Sequence, residues 1–134
     1  MSEFAWSARV YWEDTDAGGV VYYANYLRFL ERARSEWLRA RGHSQTDLAA
    51  DPGVLFAVTE VHIQFRRPAR LDDLLTISCQ PQVDGATTLR FKQQVHRDGP
   101  HGELLATASV RVVCVGSTSF RPRRLPPALI EGLH

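Results

Sequence analysis

Cysteine is scarce in this chain. Of 134 residues only Cys79 and Cys114 carry a thiol, and no Cys-x-x-Cys occurs. Both lie inside apolar, strand-like runs. That excludes a disulfide scaffold or a Cys-x-x-Cys redox site and reads as two reduced core residues. The start, Met1-Ser2-Glu3-Phe4-Ala5-Trp6, has neither a basic opening nor an apolar stretch, so no signal peptide is expected. No apolar run approaches the length of a membrane span. The expectation is a cytoplasmic protein. Repeats, low-complexity tracts and long linkers are absent, and 134 residues suit one domain, 1–134. Charge of one sign is lacking too: the net charge is +1, which gives no bulk reason to expect nucleic acid. Two arginine clusters, Arg66-Arg67-Arg70 and Arg121-Arg123-Arg124, are either solvated faces or receivers of a phosphorylated ligand. No Gly-x-Ser-x-Gly elbow is present, which argues against a serine-hydrolase mechanism.

What is present begins with strand periodicity. Phe4, Trp6, Ala8, Val10 and Trp12 alternate with Ala5, Ser7, Arg9, Tyr11 and Glu13. A glycine turn follows, and from about Tyr22 to Arg41 the period changes. Tyr26, Leu27, Leu30, Ala33, Trp37 and Leu38 recur at helical spacing, Phe29 widens the stripe, and Gly42 stops it. After a loop with Asp51-Pro52-Gly53 come four strands. In the first, Ala57, Thr59, Val61, Ile63 and Phe65 share a face, opposite Val58, Glu60, His62 and Gln64. The others fall near Leu74–Gln82, Thr87–Arg97 and Glu103–Val115, the last with an apolar face of Leu104, Ala106, Ala108, Val110, Val112 and Cys114. A short helix is expected near Ala128–Gly132. Short connections favour antiparallel pairing, and the one long helix must cover the apolar face. The predicted architecture is α+β, an antiparallel sheet of about five strands wrapped round one long central helix.

The segment Asp14-Thr15-Asp16-Ala17-Gly18-Gly19-Val20-Val21-Tyr22-Tyr23-Ala24-Asn25-Tyr26 carries the chemistry. It sets carboxylates on a glycine turn just before a helix start, where N–H groups are unpaired and the backbone dipole is positive. A carboxylate there can attack a carbonyl, or direct water at it, while those N–H groups hold its oxygen. Asp16 is read as that carboxylate, against the alternative of a plain turn residue. Asp14 reads as a turn or cap acceptor, and Asn25 as a cap or an orienter of the loop. Glu31 either pairs with Arg28, Arg34 or Ser35, or reaches the site from a neighbouring subunit. Asp14-Thr15-Asp16 lacks a nearby histidine or third carboxylate, so no metal is expected, and no cofactor either. The five histidines, His43, His62, His96, His101 and His134, show no ligand spacing; His62 and His96 belong to polar strand faces.

Residues 11–22 (YWEDTDAGGVVY), with Tyr26–Arg34 (YLRFLERAR), Pro68–Asp73, Val112–Val115 and the tail Arg121–Pro126, resemble the hotdog-fold acyl-CoA thioesterases. The resemblance points to the Tol-Pal-associated group, relatives of 4-hydroxybenzoyl-CoA thioesterase, and spans nearly the whole chain. It implies a hotdog fold and an acyl-CoA substrate, with acyl-carrier protein as a second carrier to consider. It also implies a homodimer or a tetramer of dimers with sites at subunit boundaries. The family's catalytic aspartate falls on Asp16, and the N–H of Tyr23 would hold the thioester oxygen. Many members of the Tol-Pal group carry histidine at Tyr23 and tyrosine at Trp12. The aroyl-CoA branch has a basic run where this chain has Gly85-Ala86-Thr87. Val20, Val21 and Tyr26 are the expected acyl seat, and Arg66, Arg67 and Arg70 the expected phosphate contacts. The alternatives are a non-catalytic acyl-CoA or acyl-carrier binding module and a hotdog dehydratase or hydratase. The latter families rely on a catalytic histidine, which the motif lacks. In a thioesterase, thiolate leaves readily, so no dedicated general acid is required.

Overall fold

A computed structural model describes residues 4–133; Met1, Ser2, Glu3 and His134 lie outside the described residues. Strand β1 (Phe4–Arg9) leads into a single 3-10 turn, Trp12–Asp14, and the glycine loop. Helix α1 (Asn25–Ala40) and helix α2 (Gln45–Ala50) follow. Then come β2 (Val54–Phe65), β3 (Leu74–Val83), β4 (Thr88–Arg97), β5 (Leu104–Gly116) and the short α3 (Pro127–Ile130). The five strands form one antiparallel sheet in the order β1-β3-β4-β5-β2. Helix α1 packs on one face of it, which is the hotdog arrangement. No helix among the described residues is long and apolar enough to cross a membrane.

The helical stripe is buried as its period requires. Tyr26, Phe29, Leu30, Ala33, Trp37 and Leu38 face the sheet, where Leu75, Ile77, Leu89, Phe91, Val95 and Val110 meet them. Burying each large side chain of this kind contributes about 1.5–3 kcal/mol. Leu27, expected in the stripe, is 44% exposed instead. The helix also begins at Asn25 rather than Tyr22, because Tyr22–Ala24 form a turn closed by the Asn25 N–H on the Tyr22 carbonyl. At the other end Gly42 adopts φ +86°, a left-handed conformation that ends a helix at little cost only for glycine.

Three expectations from the alternation are corrected. Strand β1 stops at Arg9, so Trp12 and Glu13 leave the sheet on the 3-10 turn, and Trp12 is 83% exposed. In β2 a bulge at Thr59 shifts the register between Val58 and Glu60. Phe56 and Val58 therefore share a face with Val61, Ile63 and Phe65, while Ala57 and Thr59 turn away. In β5 it is Leu105, beside a second register shift at Val95/His96, that is wholly buried. The loop before β2 contains α2, whose Ser44 hydroxyl accepts the Asp47 N–H at 3.1 Å. Ser44-x-x-Asp47 is a helix-start signature that marks this element in the sequence.

Cys79 and Cys114 are both free and buried, as expected. Burial pushes the Cys79 thiol up to about 12, the nearby Arg34 opposing only in part, and burial raises Cys114 as well. Neither forms the reactive thiolate near neutral pH. A disulfide reagent at pH 8 should titrate no thiol in the folded chain and two after unfolding. Fast labelling of one thiol in the native state would contradict this packing.

Candidate active site

The glycine loop is held from both sides. On one, Thr15 bridges Val21, and the Asp16 N–H donates to the Val20 carbonyl at 2.9 Å. On the other, Val20 bridges Arg70, and the Val21 N–H donates to the Ala69 carbonyl at 2.8 Å. The loop thus lies on the Ala69–Leu71 segment like a miniature hairpin with Asp16 near its tip. Arg97 fixes that segment by donating to Asp73 Oδ2 at 2.9 Å and to the Pro68 carbonyl at 2.6 Å.

Asp14 ties the loop to the helix. Its Oδ2 accepts the Tyr11 N–H and its Oδ1 accepts the Asn25 side-chain amide, both at 2.8 Å, and its carbonyl accepts the Tyr22 N–H at 2.9 Å. Asp14 is 7% exposed and Asn25 is equally buried. Asp14 is therefore a structural acceptor, and Asn25 orients the loop and does not cap the helix. Asp14→Ala leaves the buried Asn25 amide and the part-buried Tyr11 N–H unpaired and should cost about 2–3 kcal/mol, measured by urea unfolding. A loss under about 0.5 kcal/mol would show that this tie does not hold the loop.

Asp16 is exposed on the loop. Its Oδ1 accepts the Gly18 N–H at 2.8 Å, and its Oδ2 has no protein donor among the described residues. Glycine suits the loop at position 18 and is required at position 19. A Cβ on Gly18 would sit 3.3 Å from Asp16 Oδ1, and Gly19 holds φ +78°. Beside Asp16 is an open groove of about 370 Å³ lined by Glu13, Thr15, Asp16, Tyr22, Ala24, Asn25 and Arg28. Tyr23 lies between two of these. The N–H groups of Tyr23 and Ala24 find no acceptor among the described residues, although the next three N–H groups do. An oxygen placed over this helix start meets unpaired donors and the positive end of the dipole.

The other expected site residues are distributed unevenly. The Tyr23 ring is 66% exposed and tilts against Tyr22 at 4.9 Å. Val20 is half-buried in the loop. Val21 and Tyr26 are 4% and 3% exposed and belong to the core beneath it, so they form no open wall of the groove. The Tyr26 hydroxyl accepts the Ala69 N–H at 3.2 Å, and burial raises its ionisation above the usual tyrosine range. Arg66 and Arg67 follow β2, their N–H groups sharing the Leu105 carbonyl, and Arg67 lies 3.4 Å from Glu103. Arg70 is exposed and bridged through its backbone to Val20. None of these three lines the groove. Its cation is Arg28, one turn beyond Asn25 and on the same helix face, a spacing visible in the sequence.

A five-stranded antiparallel sheet on a long helix is the hotdog architecture, and the carboxylate loop at the helix start is its candidate site. Comparison with known proteins narrows this further. The sequence profile of the thioesterase-like superfamily matches residues 10–133, and the chain belongs to that superfamily. It is 44% identical over 127 residues to the acyl-CoA thioester hydrolase YbgC of Escherichia coli, covering 95% of this chain and 92% of that one. It is 32% identical over 131 residues to the 1,4-dihydroxy-2-naphthoyl-CoA hydrolase of Nostoc punctiforme, covering 98% and 86%. Among solved structures, a probable thioesterase from Bartonella henselae superposes with a TM-score of 0.86 at 38% identity, over 93% of this chain and all of that one.

Proposed function

We propose that this thioester hydrolase cleaves acyl-CoA to a carboxylic acid and CoA, with Asp16 as the catalytic carboxylate. The observation that carries the reading is the exposed Asp16 carboxylate on the same groove as a helix start with unpaired Tyr23 and Ala24 N–H groups. Asp16 either attacks the thioester carbon, forming a mixed anhydride that water then cleaves, or takes a proton from water as that water attacks. On both routes negative charge develops on the thioester oxygen, and one positioned N–H donor is worth about 2.7–4 kcal/mol to that state. Relatives named for acyl-CoA and for an aroyl-CoA support the substrate class. The groove contains no histidine, which disfavours dehydratase chemistry. Arg28 is placed to meet a phosphate of the CoA moiety; Arg66, Arg67 and Arg70 remain candidates further out.

The groove of one chain has two carboxylates, Glu13 and Asp16, and a cation, but none of the large aliphatic side chains that would seat an acyl group. Strand β2 carries an apolar surface: Phe65 is half exposed and packs edge-on against Tyr26 at 5.1 Å, and exposed Val58 and Val61 share its face. Among the described residues strand β2 pairs only with β5, so its other edge presents unpaired backbone groups. Pairing β2 with a second copy of the chain satisfies that edge and gives the acyl group an apolar wall, making the working unit a homodimer.

The test is free-thiol release from short-chain, long-chain and aroyl-CoA thioesters. Turnover of at least one class is expected. Tight binding of all three without release would favour a non-catalytic binding module instead.

A further inference from the structure

The Asp16 loop rests on the segment 68–73, and that segment is held at many points. The Tyr26 hydroxyl accepts the Ala69 N–H at 3.2 Å, and Arg9 Nη1 donates to the Asp72 carbonyl at 2.8 Å. Asp73 Oδ2 accepts the Arg70 N–H at 2.8 Å, and the Asp73 carbonyl accepts the Val10 N–H at 2.9 Å. Asp72 has φ +72°, a left-handed conformation that is uncommon for a residue with a Cβ. Strain of this kind persists only where the surroundings over-determine it, and it collects at functional sites.

Arg97, the last residue of β4, grips both ends of this segment. Each of its guanidinium nitrogens has a different acceptor. Nε donates to Asp73 Oδ2 at 2.9 Å, Nη2 to the Pro68 carbonyl at 2.6 Å, and Nη1 to Glu103, just ahead of β5. The Arg97 side chain is only 24% exposed, so water competes weakly for these charged hydrogen bonds. A planar fork serves three acceptors at fixed angles; a lysine ammonium on its flexible stem does not. From the gripped segment to Asp16 the route is two backbone hydrogen bonds. The Ala69 carbonyl accepts the Val21 N–H at 2.8 Å, and the Val20 carbonyl accepts the Asp16 N–H at 2.9 Å. The Asp16 carboxylate itself has one protein donor among the described residues, the nearby Gly18 N–H. Its position therefore follows its backbone.

We propose that Arg97 is a positioning residue for hydrolysis: by clamping Pro68 to Asp73 it fixes the backbone that carries Asp16. This rests on the reading of Asp16 as the catalytic carboxylate. Neither Arg97 nor Asp73 lines the groove, so the clamp acts on the placement of the carboxylate and not on substrate binding. A misplacement of about 1 Å at a reacting group costs about 10²-fold in rate.

Arg97→Met removes all three contacts and keeps much of the volume. It should lower kcat by roughly 10–100-fold and change KM by less than about threefold. The same substitution is then made in Asp16→Asn. Acting through the Asp16 carboxylate, Arg97→Met should lower that residual rate by less than about twofold, whereas a general structural role would lower both rates alike. If Arg97→Met does not fold, Arg97→Lys keeps the charge without the fork and should show the same pattern with a smaller loss. Arg90→Met removes another β4 arginine, one paired with Glu60 and Asp84, and should leave kcat unchanged. Amide exchange reads the clamp without turnover. The Val21 N–H should exchange at least about tenfold faster in Arg97→Met than in the native protein, and no faster in Arg90→Met. Unchanged Val21 exchange beside full native turnover overturns the proposal and leaves the hydrolase reading standing. So does a loss of kcat under about threefold, or an equal loss with and without the Asp16 carboxylate. A native protein that releases no thiol from any thioester instead defeats the hydrolase reading, and the positioning role with it, whatever the exchange shows.

Discussion

Asp16→Asn should lower kcat for acyl-CoA hydrolysis by roughly 10³-fold while leaving the unfolding midpoint within a degree or two. The substitution is nearly isosteric. The remaining side-chain oxygen can still accept the Gly18 N–H, and the backbone ties of residue 16 to Val20 and Gly19 are untouched. What disappears is the negative charge, and with it both the nucleophile and the base. Loss of a positioned general base typically costs 10²–10⁴-fold, and loss of a nucleophile costs at least as much. Residual activity should come from the helix-start N–H groups, which do not change. Steady-state thiol release beside a thermal unfolding curve reads both quantities. A drop under tenfold with an intact fold would assign the chemistry to another group.

Val61→Arg should convert a dimer into a single chain of 15.1 kDa and remove most of the hydrolysis. Val61 is 39% exposed midway along β2, on the face shared with Val58 and Phe65. In a two-fold pairing of β2 with its copy, the substitution enters the interface twice. An uncompensated charge in such a surface costs on the order of 3–5 kcal/mol, enough to move a micromolar or weaker pairing out of reach. The folded chain itself should survive, since an arginine at this edge is solvated in the monomer. Light scattering with chromatography gives the mass, and thiol release the activity. A native protein that already runs as a monomer with full activity would remove the partner from the account.

The parts of this fold that were legible in the sequence are those where one period runs unbroken. The sequence pattern marks the α1 stripe from Tyr26 to Leu38 and the strands β3, β4 and β5 to within a residue or two, because burial on one face imposes a period on the side chains. Periodicity failed where the backbone breaks it. The bulge at Thr59 inserts a residue into β2, so the alternation reads correctly from Val61 onward and inverts before it. Trp12 continues the β1 pattern in letters, yet the 3-10 turn takes it out into solvent. The site divides the same way. The loop, its glycines and the helix start were visible as a motif. Whether Val21 and Tyr26 face the groove or the core was not, because both are apolar and both destinations accept them. Arg28 does not stand out in the sequence for the opposite reason: an arginine on a polar helix face looks solvated until the loop folds over beside it.

The most direct test of the central claim is a crystal structure of Asp16→Asn soaked with an acyl-CoA that the native protein hydrolyses. The account predicts the thioester oxygen about 2.7–3.1 Å from the Tyr23 nitrogen, with the residue 16 side chain against the carbonyl carbon or a water poised beside it. A thioester seated away from the α1 start, with the Tyr23 and Ala24 N–H groups still unpaired, would contradict it.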